Sequence, residues 1–151
     1  MVAGRREIRK MGTGVMTDEL SPQRRKTIRL FLLFEGVSFM AASLTHFGML
    51  MHGYEHRPAG TAESTIGIIL LIGFALTWIA RTRIRGIGTT VQAFALLGTC
   101  VGIYTIAMGI GPRTIPDIAF HVAIVVALIW GLFVTIRAKE TANTPHQQPR
   151  S

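Results

Sequence analysis

A run of residues without a single charge, from Gly86 to Pro112, constrains the fold of this chain more than any other feature. A helix that crosses the hydrocarbon core of a membrane needs about 20 mostly apolar residues, and this run is long enough to supply one. Three more segments of similar character occur among the 151 residues of the chain. The sequence therefore predicts an all-α, polytopic membrane protein built as a bundle of four transmembrane helices. The predicted spans are 28–51, 64–80, 90–110 and 115–136.

Composition excludes several classes of protein. Apolar residue types make up 49% of the chain and charged types only 16%, against about 25% charged residues in an average soluble domain. This balance argues against a disordered chain and against an ordinary soluble enzyme. The single cysteine, Cys100, excludes an internal disulfide and a paired-cysteine redox motif. Because the chain also has no glycine-rich phosphate loop and no nucleophile–base pair at a recognisable spacing, a stand-alone enzyme is not predicted.

The Lys and Arg residues are concentrated on one side of the predicted spans. Eight precede the first apolar stretch, three follow the second span and three lie in the carboxyl-terminal tail, whereas the other two loops contain only Arg57 and Arg113. Cytoplasmic segments of membrane proteins are enriched in these residues. Both termini are therefore predicted to be cytoplasmic, with the loop 52–63 outside. This orientation, with contact to anionic lipids, explains the net charge of +8 without a nucleic-acid partner.

The two ends of the chain are predicted to differ from the membrane domain. Residues 1–27 form a basic cytoplasmic tail that includes the amphipathic start of the first helix, because Ser21 before Pro22 is a typical helix beginning. The membrane domain spans 28–136, and its last helix begins at Thr114 with the spacing of a capping box to Asp117. Residues 137–151 are polar and are predicted to be a disordered cytoplasmic tail.

Four ionisable residues within the spans are candidates for a ligand or proton site. Ionisable groups in spanning helices usually face the interior of the bundle. Glu35 and His46 share one face of the first helix, and Asp117 and His121 share one face of the fourth. For Glu35 the alternatives are a proton or ligand site, a carboxyl hydrogen-bonded to a neighbouring helix, and an ion pair with an arginine such as Arg29.

Histidines and carboxylates are concentrated towards the predicted outer side. Besides His46, Asp117 and His121, the outer loop contributes its own candidates, which are His52, Glu55, His56 and Glu63. Such a cluster can bind a transition metal or haem iron, relay protons, contact a quinone head group, or form a satisfied structural network. No metal-binding motif of the HExxH type is present, so the sequence leaves the metal unknown.

Small residues on the third and fourth spans predict close helix packing. They recur at intervals of four, and such stripes let helix backbones approach each other. The stripe on the fourth span lies about 200° from the face of Asp117 and His121. Because both faces need protein neighbours, the sequence predicts a homo-oligomer or another membrane subunit within the lipid bilayer. The packing residues are Gly98, Gly102, Ala119, Ala123, Ala127 and Gly131.

The first span resembles the opening helix of DoxX-like proteins, which are small four-helix proteins of the bacterial inner membrane. The residues that carry the resemblance are Arg29, the block 30–34, Gly36, Ala41, Ala42, His46 and Phe47. The resemblance implies an inner-membrane location with both ends cytoplasmic over residues 28–136, and it carries over no catalytic residue. The family includes subunits associated with thiosulfate:quinone oxidation. The alternative is a separate four-helix membrane family, marked by the blocks 53–57 and 111–117.

These observations favour one function and leave others open. The favoured function is a small accessory or partner subunit of a membrane redox complex, touching quinone at the outer polar cluster. The alternatives are a small oligomeric transporter or channel that uses Glu35 and His46, a haem or metal protein, and a scaffold. The sequence itself requires no cofactor, and haem, metal and quinone are all compatible with the cluster.

Overall fold

The computed structural model describes residues 20–138, and this part of the chain is helical with no β-strand. Each of the four α-helices is long and apolar enough to cross a membrane. This confirms the predicted all-α architecture. A single turn of 3-10 helix, Arg81–Arg83, joins the second helix to the third. The helices are α1 (Pro22–His46), α2 (Arg57–Ile79), α3 (Ile84–Ala107) and α4 (Ile115–Ile136). The predicted tails fall mostly in 1–19 and 139–151, which lie outside the described residues.

Both predicted helix beginnings are confirmed by their caps. The Ser21 hydroxyl accepts a hydrogen bond from the Arg24 N–H, and Pro22 occupies the first turn of α1. At α4 the Asp117 carboxylate accepts the Thr114 N–H at 3.1 Å, and the Thr114 side chain accepts the Asp117 N–H in return. This capping box satisfies free N–H groups at the helix end. It also holds Asp117 at the first turn of α4.

The predicted boundary between the first two spans was wrong. Helix α1 ends at His46 rather than at 51, because Gly48 adopts a left-handed φ of +73°, a conformation that favours glycine and interrupts a helix. The chain then folds back, and the His56 N–H donates to the His46 carbonyl at 2.9 Å. Helix α2 begins at Arg57 rather than at 64, so Glu63 lies inside a helix and not in a loop.

The helices are arranged in a closed bundle. Each helix packs against its neighbours in sequence, α1 packs beside α4, and α1 also contacts α3 across the bundle. The first helix is therefore the central element. The α1–α2 and α3–α4 loops lie at the same end of the bundle. The charge distribution predicts that this end faces outward, and we call it the outer end. Apolar core residues include Ile28, Leu32, Phe39, Leu70 and Leu128.

Polar side chains are buried inside the bundle, and large apolar side chains cover its exterior. Leu97 is 69% exposed and Ile115 is 84% exposed, whereas a soluble monomer rarely exposes extensive apolar surface. The buried polar and charged residues are Glu35, Ser43, His46, Glu63, Thr77, Gln92, Thr99, Asp117, His121 and Thr135. This distribution fits a bundle surrounded by lipid, in which polar groups find partners only within the protein.

Arginine side chains stabilise three helix ends. The last carbonyl groups of a helix have no partner within it, and the helix dipole favours a cation there. At the carboxyl-terminal ends of α2, α3 and α4, an arginine guanidinium donates hydrogen bonds to carbonyl groups of this kind. The pairs are Arg29 with Thr77, Arg113 with Ile106 and Ala107, and Arg24 with Arg137.

A glycine on α4 is expected to be essential for close packing of this bundle. A side chain at Gly131 would overlap the Gln92 amide and the Glu35 carboxylate, and its Cβ would lie 2.9 Å from Phe31. We expect Gly131→Ala to lower the free energy of unfolding by about 1–3 kcal/mol, because overpacking forces side chains out of place. Thermal or detergent-titration unfolding in micelles measures this change.

Gly86→Ala is the matched control. It makes the same substitution within α3, where an added Cβ would have nothing within 4 Å. Alanine is the better helix former, so this variant is expected to be as stable as the wild type or more stable. Equal stability of the two variants would contradict the packing role of Gly131.

Candidate functional site

Three buried ionisable residues from three helices meet at the outer end, and we call them the outer triad. His46 is the last residue of α1, Glu63 lies in α2, and Asp117 lies in the first turn of α4. The His46 Nε2 atom is 3.5 Å from Glu63 Oε1 and also 3.5 Å from Asp117 Oδ1. The contact of α1 with both α2 and α4 brings these groups together.

One hydrogen bond of His46 fixes which ring nitrogen faces the carboxylates. Its Nδ1 is 3.1 Å from the Tyr54 carbonyl oxygen, and since a carbonyl only accepts, Nδ1 carries a proton. If the ring were neutral, Nε2 would therefore carry a lone pair, and that lone pair would face the two carboxylates. This is unfavourable unless a proton lies between Nε2 and one of the carboxylates. The geometry places the three groups close enough to share a proton.

Glu63 is the member of the outer triad that lacks hydrogen-bond donors. Both of its carboxylate oxygens are buried, and neither has a hydrogen-bond partner within residues 20–138. Asp117, by contrast, accepts from Thr114. Leaving a buried acceptor unpaired costs about 1–3 kcal/mol, and more when the group is charged.

His121 lies next to the outer triad and faces away from it. Its Nδ1 is 2.8 Å from the Asp117 carbonyl oxygen, so Nδ1 donates and Nε2 is left as an acceptor in the neutral ring. The Nε2 atom points towards α3, where a Cβ built on Gly102 would lie 3.4 Å from it. The predicted shared face of Asp117 and His121 thus presents its two side chains to different neighbours.

Two cavities flank the outer triad. Cavity 1 has a volume of about 370 Å³ and lies between α1 and α4. Cavity 2 has a volume of about 190 Å³ and lies mainly between α2 and α3, with Phe39 of α1 and His121 of α4 completing its wall. His46 and Asp117 line cavity 1, whereas Glu63 and His121 line cavity 2. The two cavities share no lining residue. The outer triad therefore forms part of the wall between them.

The outer-loop candidates divide into two groups. His52 and Glu55 are exposed and contact each other at 3.6 Å, away from the outer triad. Hydrogen bonds from the backbone N–H groups of Glu55 itself and of Gly53 hold the pKa of the Glu55 carboxyl below its usual range. His56 instead caps α2 by accepting the Ala59 N–H, and it lines cavity 2.

Glu35 belongs to a separate inner cluster. The Gln92 amide donates to both Glu35 carboxylate oxygens, at 3.0 and 3.1 Å, and accepts the Thr135 hydroxyl at 2.8 Å. Glu35 is thus hydrogen-bonded to a neighbouring helix, as one of the alternatives predicted. The Arg29 pairing was wrong, because that guanidinium binds Thr77 and covers the ring of Trp78.

The inner and outer groups on α1 are separated by an apolar residue. Phe39 lies one turn beyond Glu35 on the buried face, before His46 is reached, and it is almost completely buried. Its ring packs edge-on against Phe120 of α4. The polar face that the sequence predicted along α1 is therefore interrupted in the core.

Sequence reasoning missed Gln92 and Thr135, which complete the inner cluster. A signal was present for Gln92, since it is the single amide within the charge-free run from Gly86 to Pro112. Thr135 gave no signal, because threonine is common in spanning helices and can bond its own backbone. Here its hydroxyl lies 2.8 Å from both the Gln92 amide oxygen and the Gly131 carbonyl.

The small residues predicted to mediate packing on α3 and α4 lie in different environments. Gly98 faces Ile66 of α2, and Gly102 faces His121 of α4. Steps of four residues rotate by about 40° around a helix, so the stripe on α4 turns from an exposed to a buried position. Along it Ala119 and Ala123 are exposed, Ala127 is half-buried and Gly131 is buried.

Neither a ligand set for a metal nor a related protein identifies the site. Among residues 20–138, no three His, Cys, Asp or Glu side chains are placed to bind one metal ion. No family model matches the chain, and no curated protein and no solved structure matches it. The DoxX-like resemblance of α1 stays a prediction.

The inner cluster gives a testable energetic prediction. Gln92→Leu removes both donors from the buried Glu35 carboxylate, and we expect the free energy of unfolding to fall by about 3 kcal/mol. The double variant Glu35→Leu with Gln92→Leu should regain most of this loss, because an apolar pair of similar volume needs no hydrogen bonds. Unfolding of the wild type, both single variants and the double variant measures the coupling. Simple additivity of the two losses would contradict the interaction.

Proposed function

We propose that this chain is a small integral protein of the bacterial inner membrane that acts as an accessory subunit of a quinone-linked redox complex. In this proposal cavity 1 binds the quinone head group. The observation that carries it is that His46 and Asp117, two members of the outer triad, line a cavity of about 370 Å³ whose surface is mainly apolar.

The chemistry of cavity 1 suits a quinone. A quinone head group is a flat apolar ring with two carbonyl oxygens that take up protons when the ring is reduced. Ala42 and Phe120 supply apolar wall, and His46 and Asp117 supply polar groups at one side. A volume near 370 Å³ falls within the range of about 300–1,000 Å³ typical of small-molecule pockets. The outer triad would donate or accept the proton at one quinone oxygen.

The position of cavity 1 suits a ligand that arrives from lipid. Ala41, Met51 and Pro116 line it and are exposed on the outside of the bundle between α1 and α4. A quinone could enter there sideways, with its hydrocarbon tail remaining among the lipid chains. This route supports a hydrophobic ligand over a water-soluble one.

The electron-transfer part of the reaction is assigned to a partner in this proposal. Quinone chemistry couples protons to electrons, and the residues of the outer triad supply the proton step. A partner subunit or a second copy of the chain would pack against α4, where Ala119 and Ala123 are exposed and allow close helix approach. The transporter alternative has less support, since Phe39 interrupts the polar face between Glu35 and His46.

Quinone binding tests the proposal directly. We would titrate the protein in lipid nanodiscs with a benzoquinone carrying a decyl chain and expect saturable binding at one site per chain. Ala42→Phe fills cavity 1 and should weaken binding by at least about tenfold, a loss of roughly 1.4 kcal/mol. The matched control is Ala75→Phe, which places the same ring at an exposed position of α2 that lines none of the cavities. Equal affinity in both variants would refute binding in cavity 1.

Cysteine labelling tests the proposed orientation. In a Cys100→Ala background, His52→Cys and Arg81→Cys place single thiols at exposed positions at opposite ends of the bundle. A membrane-impermeant maleimide should label the cysteine at 52 in cells with a permeabilised outer membrane, and the cysteine at 81 only after lysis. The positive-inside rule gives this direction. The reverse pattern would show that the outer end faces the cytoplasm.

A further inference from the structure

Cavity 2 has polar walls that consist mainly of hydrogen-bond acceptors. Glu63 is only 4% exposed, and both of its carboxylate oxygens lack a hydrogen-bond donor in the described chain. His121 offers Nε2 as a second acceptor, because its Nδ1 donates to the Asp117 carbonyl. Both residues line the cavity. An occupant that supplies donors would satisfy groups that the chain itself leaves unpaired.

Two threonines strengthen the acceptor character of cavity 2. The Thr99 hydroxyl donates to the Ala95 carbonyl at 2.7 Å, and the Thr105 hydroxyl donates to the Gly102 carbonyl at 2.7 Å. Each hydroxyl has a single hydrogen, so both threonine oxygens keep only lone pairs for other partners. Both residues line the cavity.

His56, the N-cap residue of α2, differs from the acceptors that line cavity 2. Its Nδ1 accepts the Ala59 N–H, so its other ring nitrogen carries a hydrogen and can donate. His56 lines the cavity together with Pro58 and Ala59 and with Gly111 and Pro112 of the α3–α4 loop.

The charges around Glu63 favour a positive occupant. Glu63 and Asp117 share one imidazole, that of His46, at 3.5 Å from each carboxylate. The outer triad therefore contains two carboxyl groups and a single imidazole, so one carboxylate is left without a cationic partner. Burying such a charge away from water is costly unless a cation accompanies it.

We propose that cavity 2 is a second binding site, for a small cation that donates hydrogen bonds, with Glu63 as its counter-ion and His121 as a further acceptor. A primary ammonium group meets these requirements, because it is positively charged and carries three N–H donors. A volume of about 190 Å³ accommodates a short alkylammonium ion. The site does not depend on the proposed quinone function, because the two cavities have no lining residue in common.

Binding of methylammonium tests this site. We would titrate the full chain, in nanodiscs of zwitterionic phosphatidylcholine, with methylammonium by calorimetry at constant ionic strength. Tetramethylammonium, a cation without N–H donors, serves as the comparison ion and maintains the ionic strength. We expect saturable binding of methylammonium at one site per chain and no saturable binding of tetramethylammonium. Absence of saturable methylammonium binding to the wild type would overturn the proposal.

A charge-removing variant locates the site. Glu63→Gln keeps the shape of the side chain and removes its charge, and we expect it to weaken methylammonium binding by at least about tenfold. Folding should tolerate this change, because the variant no longer buries an unpaired carboxylate. The matched control is Glu55→Gln, which removes an exposed carboxylate at the same end of the bundle and should bind as the wild type does. Equal affinity of Glu63→Gln and wild type would refute the role of Glu63.

A second pair of variants tests the site without changing any charge. Gly102→Ala places a methyl group 3.4 Å from His121 Nε2, which is an ordinary van der Waals distance, so it blocks that acceptor without overpacking. We expect several-fold weaker methylammonium binding, whereas Gly86→Ala in the same helix should have no effect. Wild-type affinity in Gly102→Ala would count against His121 as a ligand. Ala42→Phe, which fills cavity 1, should leave methylammonium binding unchanged, so failure of the quinone proposal and failure of this one are distinguishable.

Discussion

The need to pair buried polar side chains within an apolar bundle is the constraint on which the rest of this structure depends. Lipid offers no hydrogen bonds, so each polar group in a span must find its partner in the protein. The inner cluster meets this requirement, since Gln92 donates to both Glu35 oxygens and accepts from Thr135. Three helices are thereby joined at one point, and Gly131 leaves the space that this contact requires.

The outer end departs from this pattern, because not all of its buried polar groups are paired. His46 lies 3.5 Å from two carboxylates, which is longer than an ordinary hydrogen bond of about 2.7–3.2 Å. Glu63 has no donor at all among the described residues. Both proposed sites depend on this incomplete network, since an occupant of either cavity could supply a missing partner. The proposed quinone site in cavity 1 and the proposed cation site in cavity 2 lie on opposite sides of the outer triad.

The predictions that succeeded rest on local chemistry. The capping box of Thr114 and Asp117, the start of α1 at Pro22 and the bounds of α4 at 115–136 follow from neighbouring residues alone. The boundary between α1 and α2 could not be predicted in this way. Pro58 can end a helix or begin one, and here it occupies the first turn of α2, where proline is well tolerated. The choice between these roles depends on Gly48, whose left-handed conformation lets the loop fold back onto His46.

Sequence by itself determined that four helices form, that they are apolar enough to cross a membrane, and that histidines and carboxylates gather towards one end. Length, hydrophobicity and chain order are sufficient for each of these conclusions. Only the tertiary structure decided which groups meet. It paired Glu35 with Gln92 rather than with Arg29, moved Glu63 from a loop into α2, and left His52 and Glu55 at the surface. These outcomes depend on which helix faces are adjacent and how each helix is rotated, and residues far apart in the chain set both through packing.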